Sequence, residues 1–161
     1  MTRWETLKVA LEKTTYYADP ASSCYHLHCY GGLAIHSEHV ATNLQVLTQN
    51  MSLTWQDQDS PLIIGYGHDL CKIGAYLWDE DKQIYTPNAD HPKGHGDMSV
   101  LLLKSWIDLT PEEENCIRWH MGAFDDCENW SRYTKAIKQF PNVLWTHTAD
   151  MMATFIDEKD L

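Results

Sequence analysis

Apolar residues along this chain recur mostly at helical intervals. Trp4, Leu7, Val9, Ala10 and Leu11 mark a short first helix, and the stretch from Tyr16 to Tyr30, rich in Tyr, Ser, Cys and His without a clean period, reads as an ordered loop. Gly31-Gly32 then breaks the chain. Beyond it Val40, Leu44, Leu47 and Met51 fall at intervals of four, three and four, which predicts an amphipathic helix with His36, four residues before Val40, on its buried face. Ser60-Pro61 supplies a capping hydroxyl and a first-turn proline, and Leu62 to Leu70 continues as a nearly unbroken apolar run, so the next helix is a buried one. Its expected end is around Lys72 to Gly74, which puts His68-Asp69 close to its C-terminus.

Ala75 to Thr86 alternates loosely around Asp79-Glu80-Asp81-Lys82 and predicts a small hairpin or flap. Pro87 to Gly96 is a loop that carries His91 and His95 and opens a helix with Met98, Leu101, Leu102 and Trp106 on one side, a side that His95 shares. Thr110-Pro111-Glu112-Glu113 is a capping box with proline at the first helical position, and Cys116, Ile117 and His120 follow at helical spacing, with His120 at the inner end. Asp125 to Ser131 reads as a polar loop and Tyr133 to Phe140 as a short helix. Pro141 starts a last helix in which Val143, His147 and Asp150 share a face. The whole is an all-α bundle with one small β-hairpin or flap, and 161 residues suffice for a single domain over positions 1–161 with its own core.

Composition changes this picture in three ways. With 43% hydrophobic and 22% charged residues the chain is globular, no apolar run approaches the roughly 20 residues needed to span a bilayer, and the N-terminus lacks the pattern of a secretory signal; a cytoplasmic protein without a membrane partner is expected. The five cysteines (Cys24, Cys29, Cys71, Cys116, Cys127) are odd in number and scattered, so they read as reduced thiols rather than a disulfide or zinc framework. A net charge of −11 repels polyanions and argues against binding to duplex nucleic acid, while a compact anion needs only one local reversal of sign.

Nine histidines ask for a cause. Four of the predicted helices each place a histidine or carboxylate on an apolar face, where an unpaired polar ring or charge is expensive to bury. A divalent metal satisfies such groups efficiently, because imidazole and carboxylate ligands from distant helices can converge on one ion.

The order of these residues resembles the HD-domain phosphohydrolase superfamily. Gly31-Gly32-Leu33-Ala34-Ile35-His36-Ser37 looks like its first histidine element, Gly67-His68-Asp69-Leu70-Cys71-Lys72-Ile73-Gly74 like its His-Asp doublet with a downstream lysine, and His147-Thr148-Ala149-Asp150-Met151-Met152 like its last aspartate element. The resemblance covers roughly residues 25 to 157 and implies a compact helical HD-type domain in which His36, His68, Asp69 and Asp150 hold a first metal. In some members a second metal is bridged by the doublet aspartate, and His95 and His120 match its ligands in kind and order. One or two ions of Mn, Co, Ni, Fe, Zn or Mg fit this donor set equally. His91, in a loop before proline, is the weaker match, and His147 reads either as support for a ligand or as a ligand itself. The resemblance further implies that such a metal activates water against a phosphorus atom, with Asp69 at the centre of the chemistry and Lys72 holding a substrate phosphate or stabilising developing charge. His26, His28 and Asp125 are candidate substrate contacts; Asp126, Trp119 and Tyr25 rank below them.

The expected function is hydrolysis of a phosphate ester in a small nucleotide, a nucleoside monophosphate or a deoxynucleoside triphosphate. One alternative is a phosphodiesterase acting on a cyclic nucleotide or short oligonucleotide, since Gly-Gly-Leu before His36 and Gly94-His95 also resemble the HD portion of bacterial exoribonucleases. Another is a non-catalytic nucleotide or metal sensor. A homodimer is expected only from the general frequency of symmetric pairs.

Overall fold

A computed structural model describes residues 1–161. Seven α-helices surround one hydrophobic cluster, with a two-stranded antiparallel hairpin at one side: α1 (Arg3–Leu11), α2 (Gly32–Met51), α3 (Ser60–Gly67), β1 (Tyr76–Asp79), β2 (Ile84–Pro87), α4 (Gly96–Lys104), α5 (Pro111–Arg118), α6 (Trp130–Gln139) and α7 (Asn142–Met152). No helix is long and apolar enough to cross a membrane. The expected helical architecture and its single hairpin are both present.

The 20-residue α2 is the central element and packs most extensively against α3 and α7. Leu33, Val40 and Leu44 on α2 meet Ile63 and Ile64 on α3, Leu103 on α4, Ile117 on α5 and Val143 and Ala149 on α7 in one buried cluster. The approach of α2 to α3 is close because Gly65 has no side chain; a Cβ there would lie 2.4 Å from the Ala41 Cα. That contact lies about one turn from His36 on α2 and from His68 on α3, and it sets the distance between the helices that carry them.

At the opposite end, Glu113 ties three helices together. Its buried carboxylate accepts from Arg3 Nη1 and Nη2 (2.8 and 3.0 Å), Ser60 Oγ (2.7 Å) and the Thr110 amide (2.8 Å). Thr110 Oγ1 accepts from the Glu113 amide in return, the capping box read from the sequence.

Several local expectations change. The apolar run after Ser60 does not remain α-helical to Lys72: α3 stops at Gly67, His68 is its C-cap, and Leu70–Lys72 forms a 3-10 turn. Two poor helix formers, Gly65 and Gly67, fall in the last turn, where propensity is weakest. The Ser60 hydroxyl does not cap α3 but donates to the buried Glu113, whose desolvation is the larger cost. Met51 and Leu101, read as core positions, are 52% and 63% exposed, and the buried face of α4 is Ser99, Val100 and Leu103. His95 precedes α4 as its N-cap and is exposed instead of sharing an apolar helix face. The polar stretch after Phe124 folds into a 3-10 turn over Cys127–Asn129, and α6 starts earlier than expected, at Trp130. After α7 the backbone widens into a π-helical turn over Ala153–Asp157.

Gly65→Ala should lower unfolding stability by about 1–3 kcal/mol through overpacking against Ala41. Urea denaturation checks this; an unchanged midpoint would mean that α2 and α3 can separate without loss.

Candidate metal centre

Three histidines turn the same nitrogen inward. His68, at the C-cap of α3, points its Nδ1 at the Gly65 carbonyl (2.8 Å), and His120, just past α5, points its Nδ1 at the Ile117 carbonyl (2.7 Å). A carbonyl oxygen only accepts, so both Nδ1 atoms carry the proton and each neutral ring presents an Nε2 lone pair to the interior. His36, in the second turn of α2, directs Nδ1 at both oxygens of Glu158 (3.0 and 3.1 Å). Its Nε2 faces inward as well.

These Nε2 atoms meet Asp69, which follows the C-cap of α3, and Asp150 on α7. His36 Nε2 lies 3.3 Å from His68 Nε2, 3.2 Å from Asp150 Oδ1 and 3.7 Å from Asp69 Oδ2. His68 Nε2 is 3.5 Å from Asp69 Oδ2, and His120 Nε2 is 3.5 Å from Asp69 Oδ1. Two ligands bonded at about 2.0–2.1 Å to one tetrahedral ion stand roughly 3.3–3.4 Å apart, so these spacings suit donors arranged around a cation. His36, His68, His120, Asp69 and Asp150 are all at most 6% exposed. With neutral rings these five side chains offer one another only acceptors, with Lys72 Nζ as a donor to Asp69, and the chemistry of the set fits a divalent metal. Buried groups of His, Asp and Glu here can hold such an ion.

Without an ion, protons carry the missing positive charge. Burial works against charging His36, yet its hydrogen bonds with Asp150 and Glu158 hold its pKa up at about 9. Burial likewise opposes ionisation of Asp150, but the His36 hydrogen bond and the nearby histidines hold it down at about 2. Asp69 is held well below the usual carboxylate range against its burial, chiefly by the charge of Lys72, whose Nζ is 2.7 Å from Asp69 Oδ2. His120 is raised, its burial being outweighed by Asp69.

A cavity of about 830 Å³ opens onto this cluster. Tyr25, Met121, Phe124, Met151 and Phe155 form an apolar part of its wall, with Lys72 at its floor. A second cavity of about 650 Å³ adjoins it at Lys72, His95, Met121 and Phe124, and is bordered by Lys93, Arg118 and Arg132.

The residues expected from the sequence distribute as follows. His36, His68, Asp69, Asp150 and His120 are brought together, and Lys72 reaches the cavity beside them. His95 stands apart from the other histidines, bordering both cavities with Nδ1 3.7 Å from Cys71 Sγ. His147 Nδ1 donates to the His120 carbonyl (2.8 Å), and so acts on the cluster through His120. His26 borders the first cavity, but its Nε2 is shielded and turned toward Glu158 Oε2 (3.5 Å). His28 is not brought to the site: it is exposed and hydrogen-bonded to the Tyr25 carbonyl three residues back, which keeps it within its own loop. Asp125 borders only the second cavity, where its Oδ1 accepts from the Asp126 amide and Asn129 Nδ2 and holds the local turn. His91 bonds the Cys71 carbonyl through Nε2.

Glu158 is the participant that the sequence reading passes over. It is 1% exposed and joins His36 Nδ1 to His39 Nδ1 (2.8 Å), the carboxylate behind a ligand that fixes ring orientation and raises basicity. Its place in the polar run Asp157-Glu158-Lys159-Asp160 gives no sign of burial. Compared with protein-family models, curated proteins and solved structures, the chain has no match.

Two outcomes follow. Adding a divalent ion at about a hundredfold its Kd should stabilise the metal-free protein by about 2.7 kcal/mol, a rise in Tm of roughly 5–10 °C for a chain of this size, reversed by chelator; no shift with any divalent ion would exclude a site in the folded state. Glu158→Gln should weaken that binding about 10–100-fold while removing no ligand. Calorimetric titration reads the difference, and unchanged affinity would reduce Glu158 to a packing residue.

Proposed function

We propose that this protein is a metal-dependent phosphohydrolase, a small HD-type domain that hydrolyses a phosphate ester of a small nucleotide. The observation that carries the reading is the all-acceptor cluster of three imidazoles and two carboxylates at the foot of an open cavity, with one lysine beside it. Asp69, Asp150 and Glu158 alone would repel a phosphate; filled with a divalent cation, the same place attracts one. His36, His68, Asp69 and Asp150 would hold the first ion, with His120 completing that set or sharing a second ion through Asp69. An ion so held supplies Lewis acidity toward a phosphoryl oxygen and lowers the pKa of water, whichever of Mn, Co, Ni, Fe, Zn or Mg it is.

The remaining steps belong to the chain. Asp69, deprotonated and pinned by Lys72, keeps its charge available to the ion over the whole neutral range. Lys72 Nζ, on the cavity floor, offers ammonium protons to a phosphate oxygen and balances charge as it develops. The apolar wall of Tyr25, Met121 and Phe124 suits the face of a nucleobase, and that wall lines the same cavity as the cluster that would face the phosphate. The net charge of −11 does not favour a long duplex.

A phosphodiesterase is the second reading, and the adjoining cavity favours it: it shares Lys72 with the first and is also lined by Lys93, Arg132 and an Arg118 paired with Asp97 (2.6 Å), room for a leaving group that carries its own phosphate. A panel of nucleoside mono-, di- and triphosphates, cyclic nucleotides and short oligonucleotides, each with Mn, Co, Ni, Zn, Mg or chelator, separates the readings. Release of phosphate or nucleoside is expected with metal, and is expected to fall to background with chelator and in Asp69→Ala. Turnover confined to diesters would replace the first reading with the second, and a metal-loaded protein inert across the panel would sink both and leave a sensor.

A further inference from the structure

Asp69 has ligand-type neighbours besides the histidine cluster. Cys71, two residues on, places Sγ 3.7 Å from His95 Nδ1, and donor atoms of Asp69, Cys71 and His95 all lie within 4.8 Å of one another. A tetrahedral ion bound by a sulfur at about 2.3 Å and an imidazole nitrogen at about 2.05 Å holds those atoms roughly 3.6 Å apart. The observed separation matches.

The surroundings keep both side chains where they are. The Cys71 amide donates to Ser99 Oγ (3.0 Å), and its carbonyl bonds His91 Nε2, so the backbone is held on both faces. His95 is the N-cap of α4 and is followed by Gly96, which is pressed so close to α5 that a Cβ would lie 2.1 Å from the Arg118 carbonyl oxygen. That contact anchors the exposed histidine. Cys71 is 9% exposed, pairs with no other cysteine and lines the second cavity, which gives an ion a path in. Both Asp69 oxygens also face the histidine cluster, Oδ2 toward His36 and His68 and Oδ1 toward His120, so an ion at Cys71 and His95 would have to share this carboxylate.

We propose that Asp69, Cys71 and His95 hold a second divalent ion of thiolate-accepting character, such as Zn(II) or Co(II), beside the position built by His36, His68 and Asp150. On binding, the S–H bond breaks, its proton passes to solvent, and a sulfur–metal bond takes its place. A thiolate among the donors makes this position softer than the imidazole and carboxylate set next to it, so the two positions differ in metal preference. The inference rests on the metal-centre reading and holds whether or not the hydrolase reading does.

Cobalt(II) titration of the metal-free, phosphine-reduced protein tests it. Two equivalents are expected, with visible bands from the histidine–carboxylate position and a near-ultraviolet sulfur-to-cobalt charge-transfer band from the second. Cys71→Ser should lose the near-ultraviolet band and keep the visible ones. His95→Ala, an exposed change that spares the core, should weaken the second equivalent at least tenfold. A single equivalent, a second equivalent without the sulfur band, or a band that survives in Cys71→Ser would each overturn the proposal. Failure to bind any cobalt would remove both metal positions, whereas an intact sulfur band beside an inert nucleotide panel would sink only the hydrolase reading.

Discussion

The interior of this protein must reconcile buried negative charge with a low-dielectric surrounding. Asp69, Asp150 and Glu158 are 3%, 6% and 1% exposed, and each ionised carboxylate taken out of water costs several kcal/mol unless it is compensated. Every element near the site answers to that requirement. Lys72 closes on Asp69, His36 stands between Asp150 and Glu158, and the glycine contact between α2 and α3 lets His36 and His68 come within 3.3 Å.

A buried acidic pair elsewhere in the same chain shows what a purely structural solution looks like. Glu113 is surrounded by donors from Arg3, Ser60 and Thr110, and Glu112 accepts from Asn142 Nδ2 (2.9 Å) and the Gln56 amide (2.8 Å). Guanidinium, amide and hydroxyl groups complete those shells, and nothing further is called for. At the histidine end the Nδ1 atoms face Gly65, Ile117 and Glu158, so neutral rings turn acceptors inward, and without an ion the carboxylates depend on Lys72 and a protonated His36 for donors. The contrast is one of donor supply, since burial is comparable at both ends.

Much of this was legible in the residues themselves. Apolar periodicity marked the helices because their cores are continuous stripes, and His36, His68, Asp69, Asp150 and His120 stood out as polar groups within those stripes. The errors have physical causes. A stretch such as Leu62 to Leu70 is apolar whether it is α-helical or 3-10, so the end of α3 at Gly67 was hidden. His95 had the spacing of a helix face but sits ahead of the helix, where spacing carries no such meaning. Cys71 read, with the other four cysteines, as a reduced thiol. Glu158 lies in a run of charges that looks solvated, and its burial depends on packing between distant segments.

The π-helical turn at Ala153–Asp157 gives that last packing a wider significance. It follows directly on the helix that bears Asp150, so Asp150 and the carboxylate behind His36 belong to one continuous stretch of backbone. Wider turns of this kind replace the ordinary hydrogen-bond ladder with longer loops and are seldom chosen for stability alone. On the proposed metal reading, local unfolding of this segment and ion occupancy would be thermodynamically linked: whatever free energy an ion gained from an ordered Glu158, the closing backbone would gain from the ion.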